Sequence, residues 1–166
     1  MRRCGRQKAR EAVVDRLLDS TEYAEYFAQK WSALLRNKRT DAKHQRGTYA
    51  FHAWIRDSFA ANKPYDQLVR EIVTTEGNTH RYGPAVIYRD KREPAELTTM
   101  FSQLFLGVRL DCAKCHHHPN EKWGQDDFYH FAAFFGPLKQ KGAGISAPIS
   151  AGNETFYFAP SKTVKH

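Results

Sequence analysis

Apolar residues recur at helical spacing along most of the chain, which predicts an all-α fold. Ala9 to Leu18 sets Val13, Val14, Leu17 and Leu18 on one face, the pattern of a short amphipathic helix. Asp19 or Ser20 can cap a second helix, with Glu22 in its first turn. That helix runs to about Arg36, and Tyr23, Phe27, Trp31, Leu34 and Leu35 read as its core positions. Asn37 to Gly47 is polar and basic, and predicts a loop. Tyr49 to Ala61 predicts a third helix with Phe51, Trp54, Ile55 and Phe59 inward. Lys63-Pro64 ends it, and Pro64 suits the first turn of a fourth helix carrying Leu68, Val69, Ile72 and Val73.

Glu76 to Arg92 contains Gly77, Gly83 and Pro84 and has little periodicity. It reads as an ordered excursion or lid that lines a site. Glu93-Pro94 opens a fifth helix with Leu97, Met100, Phe101, Leu104 and Phe105 inward, and Gly107 can stop it in a left-handed cap. Asp126 or Asp127 can cap a last helix bearing Phe128, Phe131, Phe134 and Phe135, which Gly136-Pro137 ends. Beyond Pro137 the period is lost, and Thr155 to Phe158 reads as a short strand or extended arm. The expected architecture is an irregular bundle of about five or six helices. It divides into a basic leader (1–11, open to disorder), a helical domain (12–137) and a tail (138–166) with Gly and Pro.

Composition agrees with one domain that has a hydrophobic core of its own. The chain has 166 residues, 41% of them hydrophobic and 13% aromatic. No window reaches the roughly 18 consecutive apolar residues of a membrane span. Arg2, Arg3, Arg6, Lys8 and Arg10 lie in the first ten residues with no apolar run after them, so they do not make a complete secretory signal. The net charge of +8 favours anionic partners, an acidic redox protein among them. The basic residues are spread along the chain and read as a solvated surface. No nucleic-acid recognition motif accompanies them.

Chemistry concentrates at 112–118. Cys112-Ala113-Lys114-Cys115-His116 is a C-x-x-C-H run, followed at once by His117 and His118. This is the attachment signature of c-type haem, in which two thiols bond the porphyrin edge and the next histidine is an axial ligand. The aromatic helix at 128–135 and the helix at 95–106 flank the motif and can cover a haem. The sixth ligand is open: Met100, His130, His52 and His44 are candidates. Zinc is the alternative, with Cys112, Cys115 and two of His116, His117, His118 and His130 as ligands. With three protein ligands, Asp126, Asp127 or Glu121 can act as base in a hydrolysis. A Cys112–Cys115 disulfide, or two plain thiols in a turn, is the third reading. Cys4 reads as a free thiol, His52 as a core or boundary residue, and His44, His80 and His166 as surface.

The stretch from Gly107 to Pro119, with Trp123-Gly124-Gln125-Asp126-Asp127-Phe128-Tyr129 and Ala132-Ala133-Phe134-Phe135, resembles a known family. That family is the cytochrome-associated domain of unknown function found in large exported planctomycete proteins. Trp54 to Phe59 and Asn62 to Glu71 resemble its middle, and the Trp31 helix its start. The resemblance spans roughly Ala12 to Pro137. It implies an extracytoplasmic, mostly helical domain, with haem held by Cys112 and Cys115 and ligated by His116. A neighbouring cytochrome domain or an acidic redox protein would be the partner. His117 departs from the Asp that often follows the motif histidine in that family. The expectation is therefore a haem c electron-transfer or redox accessory domain, with a zinc or other transition-metal site as the alternative.

Overall fold

Small residues bring the first long helices together. In the computed structural model, which describes residues 2–39, 42–75, 77–91 and 93–138, α2 (Thr21–Leu34) packs along α3 (Gln45–Ala60). Ala24 and Ala28 of α2 are buried at that contact, and the larger Tyr23, Phe27 and Trp31 flank it half-buried. On α3 the buried stripe is Gly47, Phe51, Ile55 and Ser58, one residue per helical turn. Ser20 caps α2, its hydroxyl accepting the Tyr23 N–H at 3.3 Å. Leu34 faces solvent, and Leu35, one residue on, enters the core.

α1 spans Arg2–Leu18, starting well before Ala9. Its apolar face is turned to solvent: Val13, Val14, Leu17 and Leu18 are all about half exposed. The pattern gave the helix correctly, but nothing among the described residues covers that face. α3 also starts four residues earlier than its periodicity indicated. Arg89 causes this from a distance, donating to the carbonyls of Lys38 and His44 and to Thr48 Oγ1. These bonds order the basic stretch and the first turn of α3. His44 and His80 are half-buried rather than on the surface.

Asn62 takes a left-handed conformation (φ 46°) at the end of α3, and Pro64 is the N-cap of α4 (Tyr65–Val73) rather than inside its first turn. Leu68 and Ile72 form the buried face of α4, and Val73 is exposed.

The segment read as a lid is the centre of the core. Gly83–Arg89 forms a 3₁₀ helix, and every residue from Gly83 to Tyr88 is buried. Tyr88 donates to the Val73 carbonyl at 3.2 Å and stacks on Phe101 with ring centroids 5.5 Å apart. Burial pushes the Tyr88 phenol well above its ordinary value. Gly83 is there because nothing larger fits: a Cβ would sit 2.6 Å from the Ala50 carbonyl oxygen. Gly83 to Tyr88 lacks a helical period because all its side chains are buried in protein, with no solvent face for polar residues.

α5 (Pro94–Phe101) and α6 (Gln125–Ala133) complete six α-helices among the described residues, which contain no strand. The irregular all-helical bundle expected from the pattern is the observed class. The arm at 155–158 and the rest of the tail from 139 on lie outside the described residues.

Candidate functional site: the cysteine–histidine turn

A π turn delivers the chain to the motif. Ser102–Leu106 widens the end of α5, and Gly107 then closes it in a left-handed cap (φ 68°), with its N–H on the Ser102 carbonyl. Val108 N–H bonds that same carbonyl at 3.2 Å, and Tyr65 Oη donates to the Phe105 carbonyl at 3.2 Å. The turn's widened carbonyls are thus held by both its own chain and α4.

Next comes a 3₁₀ helix, Leu110–Lys114. Its period of three sorts the motif into faces. Leu110 and Ala113 are buried, packed with Phe128 of α6 in a small second core. Asp111 and Lys114 line a groove against α5, where Thr99 Oγ1 lies 3.3 Å from Asp111 Oδ1. Cys112 and Cys115 fall on the third face as free thiols, the first half-buried and the second exposed. The buried pair fixes the turn, with Cys112 within it and Cys115 as its C-cap residue.

The three histidines differ in what their rings can offer. His116 Nδ1 lies 2.6 Å from the His117 carbonyl oxygen, which in the neutral ring puts the proton on Nδ1 and leaves the lone pair on Nε2. His118 is the reverse: its Nδ1 accepts the Asn120 N–H at 3.3 Å, which in the neutral ring puts the proton on Nε2. The His117 ring rests against Gly124, where a Cβ would come 3.0 Å from its Nδ1. His118 N–H closes the loop on the Trp123 carbonyl at 2.8 Å. Only His116 therefore combines a ring fixed by a hydrogen bond with an available Nε2.

Two contacts fasten the loop to α6. Gly124 is the N-cap residue, and its N–H donates to Asp127 Oδ2 at 2.8 Å. Gln125 Nε2 donates to the Lys114 carbonyl at 3.0 Å. Asp127 thus supports the cap from the first turn of α6 instead of being the cap itself. In the sequence Gln125 stands only within the stretch that carries the resemblance, and its bond to the Lys114 carbonyl has no signal there. Asp126, Asp127 and Glu121 are exposed.

Among the described residues, no three His, Cys, Asp or Glu side chains are grouped to hold a metal ion. His130 is on the last turn of α6, exposed, and is not gathered with the 116–118 run in such a group. His52 is half-buried on α3 and His44 is the residue before α3. Met100 is nearly buried and lines the groove beside Asp111 and Lys114.

Two hollows adjoin the turn. The groove, about 860 Å³, has Trp31, Leu34, Tyr65, Met100 and Leu104 as apolar wall, with Arg36, Lys91 and Lys114 among its charges. A crevice of about 200 Å³ lies between Leu106, Val108, Leu110, Trp123 and Phe131. The aromatic cover expected from 128–135 is partial: Phe128 is fully buried under the turn, whereas Phe134 is 78% exposed.

The fold and site thus define a helical domain whose surface carries a C-x-x-C-H turn braced from beneath. Residues 3–140 match the family described as "Protein of unknown function (DUF1549)", PSCyt2, and the chain belongs to that family. No curated protein and no solved structure matches it significantly. No helix among the described residues is long and apolar enough to cross a membrane.

Proposed function

We propose that the chain is a cytochrome-like domain that carries a covalently attached haem c and serves electron transfer or a redox accessory role. One observation carries the reading. His116 is held by its Nδ1 hydrogen bond with Nε2 left to ligate, directly after a turn that carries two free thiols three residues apart. Metal-bound histidines are oriented this way, since a carbonyl on the far nitrogen sets the tautomer and the ring angle. Cys112 and Cys115 would hold the haem and His116 would be its axial ligand. The group itself would supply one-electron chemistry.

The residues fit such a group chemically. The sulfurs are unpaired, one exposed and one half-buried, and Ala113 between them is buried and takes no part. The chain's own work would be to orient Nε2, keep the turn rigid through Leu110 and Ala113, and set the local field. Lys114 and the +8 net charge would steer an acidic redox partner or a neighbouring cytochrome domain, an effect on rate that weakens with salt. Since haem c is attached outside the cytoplasm, the reading places the working domain there, as the planctomycete resemblance implies.

The test is an absorption spectrum of chain matured with the haem-attachment machinery, taken after denaturation, with metal analysis of the same sample. A Soret band that stays with the denatured chain is the expected result, lost in the Cys112→Ala, Cys115→Ala double variant. A colourless chain with one equivalent of zinc would overturn the haem reading in favour of a metal site.

A further inference from the structure

We infer that Gln125 of α6 is a positioning residue for Cys115 and His116. The inference rests on the haem reading above for what those two residues bind, and adds which side chain holds them in place. The hydrogen bond of the His116 ring to the His117 carbonyl orients the ring within its own loop. It does not tie that loop to the rest of the fold. The tie has to come from another element.

Gln125 supplies it. Phe128 is fully buried with Leu110 and Ala113 of the 3₁₀ turn, so one face of α6 lies against that turn. Gln125 comes three residues before Phe128, on the same helical face. Its Nε2 donates to the Lys114 carbonyl at 3.0 Å. Lys114 is the last residue of the 3₁₀ helix, where a carbonyl has no partner further along the helix. That carbonyl belongs to the peptide joining Lys114 to Cys115, and His116 follows directly. A bond there holds the peptide plane from which both residues depart. At the far end of the loop, Gly124 N–H donates to Asp127 Oδ2 at 2.8 Å, and His118 N–H to the Trp123 carbonyl at 2.8 Å. The first turn of α6 thus grips the loop just before Cys115 and again just after Trp123.

The fold does not need this amide. Phe128 already anchors α6, and Gly124 with Asp127 caps it. Gln125 is exposed, and an exposed neutral hydrogen bond adds little net stability, because water can replace the partner. What the position requires is a donor, since the partner is a carbonyl oxygen that only an N–H or O–H can meet. Gln125 therefore acts on the site through orientation and not through contact with what is bound, as outer partners of a metal-bound histidine do.

The test compares Gln125→Met, which keeps the length and loses the donor, with Gln125→Lys, which restores a donor. In the full haem-free chain, well above the ordinary histidine pKa of about 6.5, the ring nitrogen chemical shifts read the His116 tautomer. The wild-type ring and that of Gln125→Lys are expected to hold the proton on Nδ1, and that of Gln125→Met to show a mixture of tautomers. After maturation with the haem-attachment machinery, Gln125→Met should carry several-fold less covalent haem per chain, and Gln125→Lys close to the wild-type amount. Far-UV dichroism and the urea midpoint should be unchanged in both variants. A Gln125→Met chain that keeps the wild-type tautomer would overturn the inference. So would a urea midpoint lowered as by a core change, which would make Gln125 part of the scaffold. A wild-type chain with no covalent haem would instead overturn the functional reading, and the tautomer comparison would still decide whether Gln125 positions His116.

Discussion

Two of the 3₁₀ segments among the described residues do opposite jobs. Gly83–Arg89 is buried from Gly83 to Tyr88, touching α3 and α4. Leu110–Lys114 buries only Leu110 and Ala113 and turns its other faces outward. Both lack the 3.6-residue period, so both look irregular in sequence. Irregular backbone is therefore not in itself a sign of a site. What separates the two is composition: Gly83–Arg89 has one charged side chain in seven residues, Arg89 at its end, whereas Leu110–Lys114 has two in five. An apolar irregular stretch is a buried one, because its unpaired side chains have no other favourable place to go.

Gly83→Ala should break the first segment and is the largest effect expected. The new methyl would meet Ala50 O at 2.6 Å and Phe51 Cα at 2.9 Å, and these are backbone atoms of α3 that cannot swing away. Overpacking of this kind costs about 3 kcal/mol. Urea denaturation monitored by far-UV dichroism would measure it. A loss below about 0.5 kcal/mol, the usual scatter of neutral surface changes, would mean that the segment does not press on α3 as described.

Tyr88→Phe is a smaller probe of the same segment. It keeps the ring on Phe101 and removes the bond to the Val73 carbonyl, for a loss of about 1 kcal/mol near pH 7. The phenol also predicts a pH dependence. Burial raises its folded pKa above the ordinary 10.0, so the folded state prefers the neutral form. The stability this contributes is fully present below about pH 10, the unfolded value, and is lost as pH rises through the higher folded value. Above pH 10 the wild-type chain should lose stability more steeply than Tyr88→Phe. Parallel alkaline profiles would show that the phenol is not held away from water.

The order of the elements was legible because α2, α3, α4 and α5 each have one wet face and one dry face. The exceptions have physical reasons. α1 has the right pattern but leaves Val13 and Leu17 exposed, because periodicity records which face is apolar and not what covers it. The start of α3 depends on Arg89, more than forty residues away in sequence, and local propensity cannot register that. At the site, Cys112, Cys115 and His116 were legible as a motif. The division of labour among the histidines was not, since it depends on whether a given Nδ1 faces a carbonyl or an N–H. The four-ligand zinc set was also suggested by proximity in sequence. In the fold, His116 turns to its neighbour's carbonyl and His130 is on α6, and no three such ligands converge among the described residues.

The smallest effect expected is at the second segment, and it sharpens the contrast most. Cys115→Ser and His116→Ala change exposed side chains that contribute no packing to either core. Each should alter the stability of the haem-free chain by no more than about 0.5 kcal/mol. His116→Ala gives up one hydrogen bond within an exposed loop, where water replaces the partner at little net cost. The neighbouring Ala113 is fully buried, so enlarging it should be felt in the fold at once. Denaturation curves of the haem-free variants at one pH would decide the point. If Cys115→Ser or His116→Ala cost as much as a core change, these residues would have to be counted as part of the scaffold, and the motif would lose its claim to be there for chemistry. If both are neutral, the fold gives no reason for an exposed thiol followed by an oriented imidazole, and what they bind is the reason left.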